Sequence, residues 1–107
     1  PGEAGTEGGQ LLEVSGHPVE ATEAYEKALH LAPLHRKAAN NLGFLLEKRM
    51  EAGEPELRER ALEAWKRRLL ICRDEGQSLK MAKEHLQKLG VTDATLQRWM
   101  ERESTTS

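Results

Sequence analysis

The stretch Ala21-Thr22-Glu23-Ala24-Tyr25-Glu26-Lys27-Ala28-Leu29-His30-Leu31-Ala32-Pro33 decides how the rest of the chain is read. Ala21, Tyr25, Ala28, Leu29 and Ala32 recur at helical spacing, which gathers them on one side of an α-helix. Upstream, Gly16-His17-Pro18 makes a turn, and Pro18 suits the first helical position because its missing N–H needs no partner there. Pro33 ends the helix. Downstream, Ala38, Ala39, Leu42, Leu45 and Leu46 predict a second helix from Leu34 to about Met50, with the stem of Arg49 added to its stripe. Gly53 stops it and Pro55 opens the next.

Working outward, a third helix runs from Pro55 to about Arg73 on Leu57, Ala61, Leu62, Trp65, Leu69 and Cys72. Its outer face predicts i,i+4 pairs of Glu54 with Arg58, Glu56 with Arg60 and Glu63 with Arg67, each adding only about 0.2–0.5 kcal/mol. A fourth helix covers Gln77 to Leu89 with Leu79, Ala82, Leu86 and Leu89 inward. Gly90 closes it, and Asp93 caps a fifth that reaches about Arg102 with Leu96, Trp99 and Met100 apolar. Residues 1–10 hold four glycines and no large apolar group, so a disordered segment is expected there, with order beginning near Leu11. Residues 103–107 form a loose polar tail, leaving residues 11–102 as the helical domain.

Composition agrees with an all-α fold. The 107 residues suffice for one small domain, and Val14, Val19, Val91 and Ile71 are the whole complement of β-branched aliphatics, too few for a sheet. The net charge of −2 argues against a general polyanion-binding surface, so nucleic acid is not an expected partner. The longest apolar run, Leu69-Leu70-Ile71-Cys72, is far too short to span a bilayer, so neither is a membrane. A single cysteine makes no intrachain disulfide, and a reducing intracellular setting is expected. Lys66-Arg67-Arg68, interleaved with Glu59 and Glu63, reads as a solvated face rather than a localisation signal, which favours the cytoplasm over the nucleus. The chain begins at Pro1 without a methionine or signal peptide, as an excised fragment would. No site chemistry stands out. His17, His30, His35 and His85 lack metal-ligand spacing, Cys72 lies on an apolar stripe as an inert buried thiol would, and no carboxylate pair separates itself from the charged helix faces. With no phosphate loop or nucleophile elbow either, no enzyme activity, metal or cofactor is expected.

The chain also repeats. Tyr25, Trp65 and Trp99 each follow a small or near-small residue, Ala21, Ala61 and Thr95, by four positions. Trp65 and Trp99 are 34 apart, and Tyr25 and Trp65 are 40 apart, the same interval with six residues inserted around Gly53 to Arg58. Gly9 lies three before Leu12, and Gly43 three before Leu46. This pattern resembles the tetratricopeptide repeat (TPR) family over about residues 8–102. The stretch from Ala21 to Pro33 resembles the second helix of such a repeat, and Asn41-Leu42-Gly43-Phe44-Leu45-Leu46 the first helix of the next. The sequence departs from the family pattern at Ala39, where an aromatic is usual, at Lys83, where a small residue is usual, and after Trp65 and Trp99, where no proline follows.

The resemblance implies a short solenoid of about five helices stacked as antiparallel pairs, and a non-catalytic protein or peptide partner held in a concave groove lined by first helices. Carried over by position, that groove shows Lys37, Asn40, Asn41, Phe44 and Lys48 from the second helix. The fourth adds Gln77, Lys80, Met81, Glu84 and Lys88. Asn41 matches the asparagine that chaperone-binding members use to hold a terminal carboxylate, but Thr6, Gln10, Gln77 and Met81 stand where its polar and basic partners would be. A competing resemblance covers residues 85–102, where Leu89-Gly90-Val91-Thr92 followed by Thr95-Leu96-Gln97-Arg98-Trp99 looks like a helix-turn-helix DNA reader. Asp93, Glu101 and Glu103 beside Arg98 and Arg102 leave that segment with little net positive charge, and the repeat reading is preferred.

Overall fold

The computed structural model describes the backbone of residues 2–72 and 76–106, with side chains described at 8–72, 76 and 79–101. It is all-helical among these residues. Six helices follow in order: α1 (Gly2–Val14), α2 (Pro18–Leu31), α3 (Arg36–Glu51), α4 (Arg58–Ile71), α5 (Gly76–Lys88) and α6 (Asp93–Thr106). A single 3₁₀ turn, Pro55–Leu57, leads straight into α4. Two of these elements differ from the sequence expectation. A helix begins at Gly2, well before Leu11, making six helices where five were expected, and α6 runs past Arg102 to Thr106.

The extra helix has a packing cause. Glycine lowers helix propensity, and a glycine-rich segment reads as disordered for that reason. Yet a Cβ on Gly9 would lie 2.5 Å from the Tyr25 ring, so only glycine lets α1 approach α2 this closely. The Tyr25 hydroxyl then donates to Glu13 Oε1 at 3.0 Å and ties the pair. The same device recurs one pair later, where a Cβ on Gly43 of α3 would lie 2.6 Å from Trp65 of α4. Both aromatic rings are fully buried as a result. At the position in register with these two glycines stands Lys83, and a lysine admits no ring against the backbone. Correspondingly, Trp99 is half-buried rather than buried as its repeat position predicts, and among the described residues α5 and α6 lack the close backbone approach of the first two pairs.

Contacts between side chains give the helix directions. Gly43 meets Trp65 while Asn40 meets Arg68, so α3 and α4 run antiparallel. Glu47 meets His85 while Glu51 meets Lys88, so α3 and α5 run parallel. One core joins them, built on Tyr25, Leu42, Leu46, Trp65, Leu69 and Leu86, with Leu96 bringing in α6. Burying each such large side chain contributes about 1.5–3 kcal/mol.

The charges are paired differently from the i,i+4 expectation. Arg60 donates to Glu26 through two bonds of 3.0 and 2.6 Å, α4 to α2. Arg58 reaches the Leu89 carbonyl at 2.9 Å. Glu54 turns back to Arg49, accepting at 2.9 and 2.8 Å. A bidentate fork or a buried carbonyl offers Arg more than an exposed neighbour one turn away. Arg49 is itself buried, and its third contact is the Thr22 hydroxyl at 3.1 Å, so it clamps α2, the end of α3 and the following turn. The cap of α6 is also reassigned: Thr92 Oγ1 accepts from the Thr95 amide at 3.2 Å, and Asp93 accepts from Gln87 instead.

Candidate functional site

Residues three and four apart fall on one side of a helix, and on α3 this gathers Lys37, Asn40, Asn41, Phe44, Glu47, Lys48 and Glu51. α5 lies beside that side and runs parallel to it. Phe44 is the large apolar residue that breaks the surface here, 44% exposed. It is not loose. Its ring stands edge-to-face on Trp65 at 5.0 Å and 85°, and on His85 at 5.1 Å and 86°. His85 lies flat on Trp65, 4.1 Å between centroids and 8° between planes. His85 Nδ1 is 2.6 Å from Glu47 Oε2, and Glu47 is buried. Lys88 completes the cluster at 3.4 Å from Glu47 and 3.7 Å from Glu51. The exposed ring therefore sits on a fixed floor, and each aromatic pair adds about 0.5–1.5 kcal/mol beyond its buried area.

The groove residues expected from the sequence do not all join this cluster. Phe44 and Lys88 do. Lys37 and Lys80 are exposed towards the N-terminal ends of α3 and α5. Lys48 is exposed on the other flank of α3, where it lines a cavity of about 270 Å³ with Glu13, Pro18 and Leu45. Asn40 is half-buried and spent structurally, its Oδ1 accepting from Arg68 Nε at 3.2 Å. Asn41 is half-buried beside Tyr25. Its Nδ2 is a buried donor with no hydrogen-bond partner among the described residues. Burial first, then the Glu13 carboxylate, hold the Tyr25 phenol well above its usual pKa, and the Asn41 amide pulls slightly the other way. The side chain of Gln77 lies outside the described residues, as does that of Arg102.

Comparisons with family models, with curated proteins and with solved structures returned no match. The site is therefore read from its own chemistry. Among the described residues no group of three or more His, Cys, Asp or Glu could hold a metal ion, and no helix is long and apolar enough to cross a membrane. Cys72 is buried, its thiol donating to the Arg68 carbonyl at 2.8 Å. The basic run is dispersed. Lys66 sits 4.7 Å over the Trp99 ring, Arg68 is buried between Asn40 and Cys72, and Arg67 alone of the three is exposed. In the segment resembling a DNA reader, Gln97 donates to Glu101 at 3.1 Å and Arg98 to Thr95 at 3.2 Å.

The sequence reading missed His85, Glu47 and Trp65 as the floor beneath Phe44. Glu47 and His85 are 38 positions apart on different helices, and no local spacing links them. The one available signal was Glu47 itself, a charge adjoining Leu45 and Leu46 at the edge of an apolar stripe.

Proposed function

We propose that the chain is a non-catalytic protein–protein interaction module: a short tetratricopeptide-like array that takes a peptide or partner helix along the face formed by α3 and α5. The observation that carries this reading is Phe44. A large apolar ring left partly in solvent, yet held against Trp65 and His85, the latter anchored by the Glu47 carboxylate, costs little entropy to bury against a ligand. Polar and charged groups flank it, as at the rim of a recognition surface: Lys37, Lys80 and Lys88 beside Glu51 and Glu84. The repeat reading draws support from the recurrence of one contact, glycine against aromatic, in the α1–α2 and α3–α4 pairs.

The test is selection of binding peptides from a random displayed library with the purified chain, followed by anisotropy titration of the recovered sequences. Phe44→Ala is expected to weaken binding at least tenfold while leaving the circular dichroism spectrum unchanged. Selected peptides that bind Phe44→Ala as tightly, and that perturb amide resonances away from α3 and α5, would sink the proposal.

A further inference from the structure

On the far side of α3 from Phe44, two residues and so more than half a turn away, Leu42 floors a cleft between α2 and α4. The cleft holds a hollow of about 440 Å³ over Leu29, Leu42 and Ala64. It continues past Glu63 and Arg67 into a second hollow of about 300 Å³ edged by Leu34, Leu70 and Ile71. Leu34 stands 77% exposed at its rim. The charges around the cleft are mostly engaged: Arg60 with Glu26, Glu59 with Arg58, Lys66 over Trp99. Glu63 and Arg67 are the exception. They line both hollows one helical turn apart, and neither makes an ion pair or hydrogen bond with another described residue.

The geometry points to a second copy of this chain as the occupant of this cleft, packed about a two-fold axis that crosses α4 between Glu63 and Arg67. The argument is self-complementarity. An interface between identical copies of this kind must match its own surface. Two α4 helices laid antiparallel about that axis set Glu63 of each copy against Arg67 of the other, forming two ion pairs from charges that are otherwise unmatched. The same rotation reverses the cleft end for end. The hollow edged by Leu34 and Leu70 belongs to the C-terminal half of α4, and the larger hollow extends to Glu59 in its N-terminal half. Each protruding Leu34 is thereby carried over the other copy's larger hollow, so both knobs and both holes are used at once. A foreign peptide would need an acid, a base and two apolar groups in matching order, and this chain already presents all of them. The assembly leaves both α3/α5 faces outward and does not depend on what they bind.

Analytical ultracentrifugation of the full chain, from about 1 μM to about 500 μM, tests the inference. The wild-type chain is expected to show a monomer–dimer equilibrium that weakens with added salt. Glu63→Arg or Arg67→Glu alone should weaken it about tenfold or more, because symmetry makes each reversal count twice. The double variant Glu63→Arg/Arg67→Glu keeps the match with its signs exchanged, and should return to within about threefold of wild type. Leu34→Asp should be monomeric. All three substituted side chains lie on the surface, and thermal melts verify that each of the four variants is folded. A wild-type chain that stays monomeric throughout the range, single reversals that associate as before, or a double variant that fails to recover would each overturn the inference.

Discussion

Replacing Gly43 by alanine sets two effects of known size against each other. Gly43 lies inside α3, where alanine is intrinsically better by about 0.8–1.0 kcal/mol. Sequence alone therefore predicts a gain. The structure predicts a loss. The new Cβ would stand 2.6 Å from Trp65 Cε2 and 2.9 Å from Nε1, so the ring would have to retreat by about 0.8 Å to reach ordinary contact at 3.4 Å. Trp65 has nowhere to go. It is wholly buried, with His85 flat against one face and Phe44 on its edge. Overpacking of such a core costs about 1–3 kcal/mol, which outweighs the propensity gain at most values in that range. The expected net loss is about 1 kcal/mol, a fall in Tm of about 4–8 °C for a chain of this size. Gly9→Ala should behave alike, since its Cβ would lie 2.5 Å from Tyr25. Gly8→Ala is the control: nothing lies within 4 Å of its Cβ, and it should stabilise by about 0.5–1 kcal/mol. Chemical denaturation of the three variants, followed by circular dichroism and tryptophan emission, supplies the numbers. If Gly43→Ala stabilises the chain as much as Gly8→Ala does, the close approach of α3 to Trp65 is wrong and the packing argument fails with it.

Other expectations follow from the same contacts. His85→Ala uncovers Trp65 and deprives the buried Glu47 of its nearest partner, so a loss of about 1–3 kcal/mol with a red-shifted tryptophan emission is expected. The Arg49 hydrogen bonds hold the Glu54 carboxyl below its ordinary pKa. A lowered folded-state pKa gives stability that is present above the ordinary carboxylate range and lost as pH falls through the folded value, and Glu54→Gln should flatten that part of the acid titration. Tyr25 is the reverse case: its raised pKa makes stability complete below the ordinary phenol value of 10.0 and loses it at higher pH, and Tyr25→Phe should remove that alkaline limb. Random duplex DNA titrated at low salt should show no binding that falls steeply with salt and disappears in Arg98→Ala; such binding would revive the DNA-reading interpretation of residues 85–102.

What the sequence determined by itself is the part of the structure that depends on neighbours along the chain. Helical period, Pro18, Pro33 and Gly53 placed α2 and α3 to within two residues of their ends, and the apolar stripes named Tyr25, Leu42, Trp65 and Leu86 as core. These follow from local backbone sterics and from the 3.6-residue turn, both written in consecutive residues. Only the tertiary structure decided the rest. Gly8 and Gly9 look alike in sequence, and it is the Tyr25 ring, sixteen residues away, that makes one of them a close contact and leaves the other open. Trp65 and Trp99 share a repeat position, but one faces a glycine and the other stands in register with Lys83, so their burial differs. Arg58 and Arg60 each had an i,i+4 partner on offer and took one 31 or 34 residues away, and Glu54 turned back to Arg49, because the energy of an exposed neighbour pair is small beside that of a fork or a part-buried carbonyl. The floor under Phe44 is of the same kind: it needs α5 parallel to α3 at the register that sets His85 against Glu47, and that register comes from how whole helices pack and not from any spacing within one.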